Sequence, residues 1–461
     1  MAKSLGGEYE YGKLYRSEEK VYPREVKGRF ATLRRIAMFV LLGAFYVGPW
    51  LSWEGRQAIL FDLPARKFYI FGMTLWPQDF IYLALLLIIL AVSLFFFTAL
   101  AGRLWCGYAC PQTVWTEAFT WIEMAVEGDR NKRIKLDKGP WTFEKVRKKA
   151  LKQFLWLTLA LYTGFTFVGY FSAIGPLTAD LVTFSAGPWE WFWVLFYGFA
   201  TYGNAGHMRE QVCKYMCPYA RFQGAMFDRD SLIITYDLER GEPRGRRKKG
   251  SDYKSQGLGD CVDCTMCVQV CPTGIDIREG LQYECIACAA CIDACDSVMD
   301  KVGYPRGLIR YSTERALEHK KYRLIRPRTM VYTGVLATLA VLMVSLMALR
   351  TPVILDVIRD RNTLYRDVGR AGIENSYTIR VINKHNEPHD YVLSVRGIEG
   401  MEIGSETTFS LAGESVFTLP VSVTVPHEYA SGGQVIVFQL DATDDSGISV
   451  TEESRFRGPT E

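Results

Sequence analysis

The chain has 461 residues, of which 49% are hydrophobic, and a formal net charge of +4. This length exceeds that of one ordinary domain, and the mean hydropathy of +0.02 averages over apolar and highly charged stretches. Neither a P-loop nor a G-x-G-x-x-G fingerprint occurs, and no motif indicates that the chain binds nucleic acid.

Five apolar stretches are each close to the ~20 residues that a helix needs to cross ~30 Å of hydrocarbon. They predict five membrane spans, at residues 36–53, 80–100, 154–174, 189–205 and 329–349. A polar and charged segment precedes the first span, and no small-residue cleavage site follows that span closely. The first span is therefore expected to stay as an anchor rather than to be removed as a signal peptide.

The distribution of Lys and Arg predicts the orientation of these spans. Residues 1–35 contain nine Lys or Arg, residues 101–152 contain eleven, and residues 207–328 contain twenty-one. In contrast, residues 54–79 contain three and residues 175–188 none. Because basic loops resist translocation, we expect a membrane protein with its N-terminus in the cytoplasm and its C-terminus outside.

The basic run RGRRKKG, which ends at Gly250, has two interpretations. It resembles a nucleic-acid patch in composition, but its position between predicted spans favours an anchor beside anionic lipid.

All twelve cysteines lie between Cys106 and Cys295, in the part of the chain that is predicted to be cytoplasmic, where thiolates are available to bind metals. Eight of them form the pattern C-x2-C-x2-C-x3-C twice. In this spacing the fourth cysteine of each array binds the cluster of the other array. The sequence therefore predicts two 4Fe-4S clusters, one bound by Cys261, Cys264, Cys267 and Cys295 and the other by Cys285, Cys288, Cys291 and Cys271.

The other four cysteines form two C-x-Y-x-C-P motifs, Cys106 with Cys110 and Cys213 with Cys217. Proline is favoured at the first position of a helix, so Cys110 and Cys217 are predicted to cap new helices, whose exposed amides lower a thiol pKa. The repeat suggests a duplicated unit that brings the pairs together. Soft sulfur ligands select Cu(I), zinc or iron–sulfur clusters, and burial as small hydrophobic residues is the alternative.

Three residues near the second motif, His207, Met208 and Met216, are further candidate ligands, although a lone His or Met at a helix end more often packs or caps. Whether the paired motifs hold a metal, a further cluster or a reversible disulfide stays open at this point.

Residues 351–461 alternate in polarity over strand lengths and predict an Ig-like β-sandwich. This region contains nine basic and seventeen acidic residues, and a solvated acidic surface is favoured over a cation site. His385 and His389 flank a proline, which favours a loop over a copper site.

These motifs resemble those of membrane polyferredoxins with paired C-x3-C-P motifs, such as the quinol-oxidising NapH-type subunits and the NosR-type regulators. From about residue 30 to 460, the plan is similar to that of the CcoG/FixG/RdxA family, accessory proteins of the cbb-type cytochrome c oxidase. The resemblance implies a cupric reductase that makes Cu(I) for the oxidase, with copper bound by Cys106, Cys110, Cys213 and Cys217. It also implies oxidase subunits and a copper-transporting ATPase as partners.

We therefore expect a multidomain integral membrane protein with a five-span helical bundle, a two-cluster ferredoxin domain and an all-β Ig-like sandwich. The predicted segments are a cytoplasmic N-terminus (1–35), a four-helix membrane region (36–206) with a cytoplasmic loop (101–152), a basic linker (207–256), a ferredoxin domain (257–305), a linker (306–328), the fifth span (329–349) and a periplasmic domain (351–461).

The predicted function is reduction of copper with electrons from an unidentified cytoplasmic donor. One alternative is a quinol-dependent ferredoxin module, and the other is a redox-sensing scaffold for oxidase assembly. A homodimer is one option for the oligomeric state.

Overall fold

The computed structural model describes residues 20–248, 252–361, 363–444 and 447–459, without the side chain of Ala225. The chain divides into two compact units, Met1–Ala340 and Val341–Glu461. Most of the predicted cytoplasmic segment 1–35 lies outside the described residues, as do Lys249 and Gly250 of the basic run.

The first unit is mainly helical. Its α-helices are α1 (Arg29–Val47), α2 (Phe80–Ala101), α3 (Leu104–Tyr108), α4 (Pro111–Glu127), α5 (Arg130–Lys138), α6 (Phe143–Val168), α7 (Ile174–Val182), α8 (Pro188–Thr201), α9 (Pro218–Met226), α10 (Leu238–Gly241), α11 (Met266–Gln269), α12 (Ala290–Val302), α13 (Glu314–Leu317) and α14 (Pro327–Ala348). Two π-helical segments, Tyr202–Met208 and Val212–Met216, separate α8 from α9. The 3-10 helices of the chain are Gly48–Trp50, Pro77–Asp79, Ile277–Glu279 and Gly369–Ala371.

Among the described residues of this unit, seven short strands accompany these helices. They are β1 (Ser52–Trp53), β2 (Arg56–Gln57), β3 (Ile59–Asp62), β4 (Lys67–Ile70), β5 (Met73–Leu75), β6 (Ile233–Tyr236) and β7 (Ile309–Ser312). Strands β1 and β2 pair, β3 to β5 form an antiparallel sheet, and β6 pairs with β7. Because β6 precedes the cysteine arrays and β7 follows them, the segments predicted as linkers contribute ordered structure beside the ferredoxin region.

Among the residues that the structure describes, three helices are long and apolar enough to cross a membrane. They cover Arg29–Trp50, Pro77–Ala101 and Pro327–Ala348, at the first, second and fifth predicted spans. The third and fourth predicted spans fall on α6 and α8, which do not meet the same requirement; α8 has only 14 residues. Five spans and their orientation therefore stay predictions.

The start of α1 is tied to the ferredoxin region. Asp293 on α12 accepts hydrogen bonds from the backbone N–H groups of Phe30 (3.3 Å) and Ala31 (2.7 Å). A carboxylate at this position satisfies backbone donors that have no partner within the helix. Just before α1, the backbone N–H of Arg24 donates to the carbonyl oxygen of Gln269 at 2.9 Å. The first candidate span and the cysteine arrays are thus held together.

The second unit confirms the predicted Ig-like domain. Its strands are β8 (Val353–Arg359), β9 (Arg366–Asp367), β10 (Ile373–Asn383), β11 (His389–Arg396), β12 (Glu402–Ile403), β13 (Thr408–Leu411), β14 (Val416–Val425), β15 (Gly433–Ala442) and β16 (Ser449–Arg457). One sheet has the order β12-β14-β10-β8 with β9 paired to β10, and the other has the order β13-β11-β15-β16. Alternate residues of β10 are buried, and Tyr377 from this strand contacts Phe438 of the other sheet, with ring centroids 5.1 Å apart.

Candidate metal centre

The two cysteine arrays form loops with the same backbone. Asp263 and Thr265 in the first loop have φ angles of 51° and 57°, and Ala287 and Ala289 at the equivalent positions of the second loop have 53° and 59°. Residues other than glycine rarely adopt this left-handed conformation, and where they do, it often marks a functional site. The same unusual backbone conformation therefore occurs in both loops, as expected if each loop surrounds a cluster of the same type.

Each loop borders a small cavity, and the two cavities have the same volume, about 20 Å³ each. The first cavity is lined by Cys261, Cys264, Cys267 and Cys295. The second is lined by Cys271, Cys285, Cys288 and Cys291, and Cys267 also contributes to its wall. The cavities thus group the cysteines in the crossed arrangement that the spacing predicts, although ligation itself stays a prediction.

The chemistry of these side chains fits iron–sulfur clusters. Burial raises the pKa of Cys267, Cys285 and Cys295 to about 12 each, so an unbound thiolate is disfavoured there and a bound cation would favour it. The backbone N–H of Ala287 donates to Cys285 and that of Ala290 to Cys288, a contact that tunes cluster potential. In the described part of the chain, no three His, Cys, Asp or Glu side chains already form a metal-binding group, so this fit rests on the cavities and loops.

The paired motifs begin helices as predicted. Cys110 and Cys217 have extended backbones and occupy the N-cap positions of α4 and α9, with Pro111 and Pro218 as the first helical residues. The prediction of a lowered pKa is wrong for Cys110. Burial raises the pKa of this thiol and outweighs the hydrogen bonds from the amides of Thr113 and Gln112.

The structure brings the two cysteine pairs together. Burial is the main reason why the pKa of Cys106 rises to about 11 and that of Cys213 to about 12. Negative charge on Cys110, Cys106 or Cys217 raises the pKa of Cys213 further, which requires all four thiols to lie within electrostatic range. The two pairs are therefore near each other, as the sequence predicts, and the duplication itself stays a prediction.

Two glutamine side chains hold this arrangement. Gln112, two residues after Cys110, donates from Nε2 to the carbonyl oxygens of Asn204 (2.9 Å) and Arg209 (3.1 Å), just before the second motif. Gln223 on α9 is fully buried, and its Nε2 lies 3.4 Å from Cys106 Sγ. The first motif is therefore hydrogen-bonded both to the segment before the second motif and to the helix after it.

The first motif also packs against the second ferredoxin loop. Cys106 contacts the apolar cluster that contains Ile286 and Cys288. A Cβ atom added at Gly107 would lie 2.8 Å from the carbonyl oxygen of Ile286 and 2.9 Å from that of Ala287. Arg103 Nη1 lies 3.3 Å from the carbonyl oxygen of Cys285. The first paired motif is thus adjacent to the cavity lined by Cys285, Cys288 and Cys291.

Replacing Gly107 with alanine should displace the second ferredoxin loop. The new methyl group has no room against two backbone oxygens, and overpacking of this kind typically costs about 1–3 kcal/mol. We expect lower iron and sulfide content in the purified protein. The matched control is Gly224→Ala on α9, where no atom lies within 4 Å of the added Cβ. Equal iron content in both variants would contradict the packing.

The three further candidate ligands, His207, Met208 and Met216, have no described contact with the paired thiols. The ring of His207 contacts Trp156 and Tyr202, with centroids 5.8 and 5.0 Å apart. Burial and the positive charges of Lys152 and Arg209 lower its pKa, and the same charges oppose binding of a cation. Met208 ends the first π-helical segment, and Met216 is 58% exposed. A metal role for these three residues stays a prediction without a described contact to the thiols.

Sequence reasoning missed a buried ion-pair network centred on Glu123 of α4. This fully buried carboxylate lies 2.8 Å from Arg209 Nη2 and 3.2 Å from Arg133 Nη1. Its other oxygen lies 3.3 Å from Lys20 Nζ and 3.6 Å from Lys152 Nζ. Burial alone would raise the pKa of Glu123, but Arg209 and the two lysines bring it to about 2. The Lys and Arg counts predict only the orientation of the spans. They do not distinguish a buried charged side chain from an exposed one, so they could not reveal this network.

The loop prediction holds for His385, but His389 is the first residue of β11, and the two rings lie close together. Their ring centroids are 5.4 Å apart, and His389 Nδ1 lies 2.5 Å from Asp444 Oδ2. They form no group of three possible ligands within the described residues, so the structure gives no support to a copper site here.

Three family models match the chain. A 4Fe-4S dicluster domain matches residues 208–314, a 4Fe-4S binding domain matches residues 83–135, and the IG-like fold at the C-terminus of FixG matches residues 343–459. The match at 83–135 includes Cys106 and Cys110, so the first paired motif lies inside an iron–sulfur model.

Curated relatives match almost the full length. Protein RdxB of Cereibacter sphaeroides is 42% identical over 89% of this chain and 88% of its own length. The nitrogen fixation protein FixG of Rhizobium meliloti is 38% identical over 90% of this chain and 88% of its own. A FixG-related protein from Vibrio parahaemolyticus, known from a crystal structure, is 33% identical over 24% of this chain and 98% of its own, with a TM-score of 0.22.

Proposed function

This chain belongs to the family of FixG, RdxA and RdxB, and on that premise we propose that it is a membrane-bound electron-transfer protein that reduces Cu(II) to Cu(I). The Cu(I) would serve the copper centre of a cbb-type cytochrome c oxidase. The ferredoxin region would face the cytoplasm and the Ig-like domain the periplasm, as the counts of Lys and Arg predict. Oxidase subunits and a copper-transporting ATPase are the proposed partners.

One observation carries this proposal: the two cysteine pairs are near each other, and the first pair lies against a ferredoxin loop. Cys106, Cys110, Cys213 and Cys217 lie within electrostatic range of one another. Gly107, next to Cys106, contacts the carbonyl oxygens of Ile286 and Ala287 so closely that no side chain fits between them. Short separation between a reducing centre and a metal-binding site is what electron transfer to a bound metal requires.

When bound by the eight ferredoxin cysteines, 4Fe-4S clusters supply single electrons, often at potentials near about −400 mV. The four paired thiols provide soft ligands that favour Cu(I) over Cu(II). Burial raises the pKa of Cys106 and Cys213, and the nearby positive charge of Arg103 works in the opposite direction. Arg103 therefore favours the thiolate forms that bind copper. Each Cu(II) takes one electron from the reduced protein and leaves as Cu(I).

Replacing all four paired cysteines with serine tests the proposal. The variant protein, reduced with a chemical donor under anaerobic conditions, should lose nearly all catalytic reduction of Cu(II), measured with a Cu(I)-specific chelator. Serine keeps the size of the side chain and removes the soft ligand. Unchanged turnover in this variant would refute the copper site.

Iron analysis of the same variant separates a copper site from a further cluster. If the four thiols bind copper, the iron content should match that of the wild type. If they hold a third 4Fe-4S cluster, which the iron–sulfur match at residues 83–135 favours as a second candidate, the variant should lose roughly a third of its iron.

A cavity supports the quinol-dependent alternative. It lies between α1 and α4 and combines polar walls, which include Arg34 and Glu117, with apolar walls, which include Phe39 and Trp121. Cys213 and Ile286 also line this cavity, so a ligand there would be close to the second paired motif and to the second ferredoxin loop. Reduction of the protein by a quinol in liposomes, with no effect of copper, would favour this alternative over cupric reduction.

A further inference from the structure

The described part of the basic run, residues 244–248, borders the first cysteine loop. A cleft on the first unit, here called the basic cleft, has walls that include Arg246, Arg247, Lys248, Asp263 and Cys264. Three of these five residues are cationic side chains of the run RGRRKKG. The run therefore lies beside a ferredoxin cysteine, a position that an anchor to lipid does not require.

The basic cleft is positive in balance. Its acidic wall residue, Asp263, is paired with Arg278, whose Nη1 lies 2.7 Å from Asp263 Oδ1. Arg278 also binds Asp276, with Nη2 2.6 Å from Oδ2. The walls of the basic cleft therefore carry three cationic side chains and one carboxylate, and Arg278 already pairs with that carboxylate.

Arg247 is held in place without a hydrogen-bond acceptor. Its guanidinium lies 4.4 Å from the ring centroid of Tyr253 and 5.2 Å from that of Tyr304. Within the described residues, its three guanidinium nitrogens have no hydrogen-bond partner. These nitrogens are buried, so Arg247 adds positive charge to the wall of the cleft, whereas Arg246 and Lys248 are exposed and can contact another molecule.

The basic cleft lies at the exposed end of the ferredoxin region. All twelve cysteines fall within the described residues, and Cys264 alone among them is exposed. The opposite set, around Cys285 and Cys288, packs against Cys106 and Gly107. Electrons that enter from solution therefore have their most accessible route at Cys264, on the side away from the paired thiols.

We propose that the basic cleft docks a small acidic protein that carries single electrons, such as an acidic ferredoxin. This inference rests on the proposed electron-transfer function and names the class of its donor. A nicotinamide nucleotide fits the charge less well as a donor, because it delivers a hydride and the sequence has no nucleotide fingerprint. Anionic lipid fits the charge, but it does not explain a cleft at the exposed cysteine.

Binding of an acidic carrier tests the proposal without copper or turnover. A plant-type [2Fe-2S] ferredoxin is titrated, by isothermal calorimetry, into the full-length iron-loaded protein in nanodiscs of zwitterionic lipid. We expect binding that weakens as salt rises, because the attraction is between opposite charges. Arg246→Glu/Lys248→Glu should weaken it at least tenfold at low salt. Arg247 is left unchanged because it contacts two aromatic rings.

The matched control reverses two other exposed cations of the same unit, Lys320→Glu/Lys321→Glu, and should bind the carrier like the wild type. Iron content and circular dichroism of each variant verify its fold. Equal loss in both double variants, or no salt-dependent binding by the wild type, would overturn the proposal. So would loss of affinity for vesicles of anionic lipid in the Arg246→Glu/Lys248→Glu variant with carrier binding intact. None of these outcomes alters the copper assay, so the two proposals fail separately.

Discussion

A protein in which Cys264 and Cys295 are both replaced by serine is expected to lose about half of its ferredoxin iron and to keep one 4Fe-4S cluster. These two cysteines belong to different sequence arrays, but both line the first cavity. Two changes at one cluster damage only that cluster. Iron and sulfide analysis, together with the EPR signal of the dithionite-reduced protein, measures what is retained.

The comparison variant replaces Cys264 and Cys271, which both belong to the first array. Cys271 lines the second cavity, so this pair should damage both clusters and remove nearly all ferredoxin iron. Both variants carry two Cys→Ser changes and share one of them, so a general loss of stability affects them alike. If the second variant keeps half of the iron and the first keeps none, each cluster is bound within one array and the crossed assignment is wrong.

Features that depend on local chemistry could be predicted from the sequence. The ferredoxin loops follow from cysteine spacing, because the geometry of a cluster restricts the number of residues between ligands. The starts of α4 and α9 follow from Pro111 and Pro218, since proline fixes φ and is favoured at the first helical position. The Ig-like domain follows from alternating polarity, which the buried alternate residues of β10 reflect.

Features that depend on tertiary packing could not be predicted in this way. A helix N-terminus lowers a thiol pKa, but the sequence gives no measure of how far Cys110 is buried, and burial dominates. The close contact of Gly107 with the second ferredoxin loop joins residues that are about 180 positions apart in the chain. The position of the basic run between predicted spans favours lipid, and the sequence gives no sign that Cys264 lies beside the run in space.

Replacing Glu123 with alanine is expected to destabilise the first unit by about 3–5 kcal/mol, the usual cost of breaking a buried ion pair from one side. Arg133 and Arg209, which are 0% and 7% exposed, would each lose an acceptor that lies within 3.2 Å. Water cannot easily reach the two guanidinium groups to replace the carboxylate. The change should appear as a lower midpoint of guanidinium unfolding in detergent micelles, followed by tryptophan fluorescence.

The matched control is Glu144→Ala, which removes a solvent-exposed partner of Lys148 on α6 and should leave the midpoint unchanged. The Glu123 variant should also reduce copper more slowly when it is held well below its unfolding midpoint. The reason is that Arg209 accepts at its carbonyl oxygen the hydrogen bond from Gln112, which fastens the first cysteine motif to the segment before the second. Glu123→Gln, which keeps the shape and loses the charge, should fall between the wild type and Glu123→Ala in both measurements. If Glu123→Ala and Glu144→Ala behave alike, the network contributes neither to stability nor to the arrangement of the four thiols.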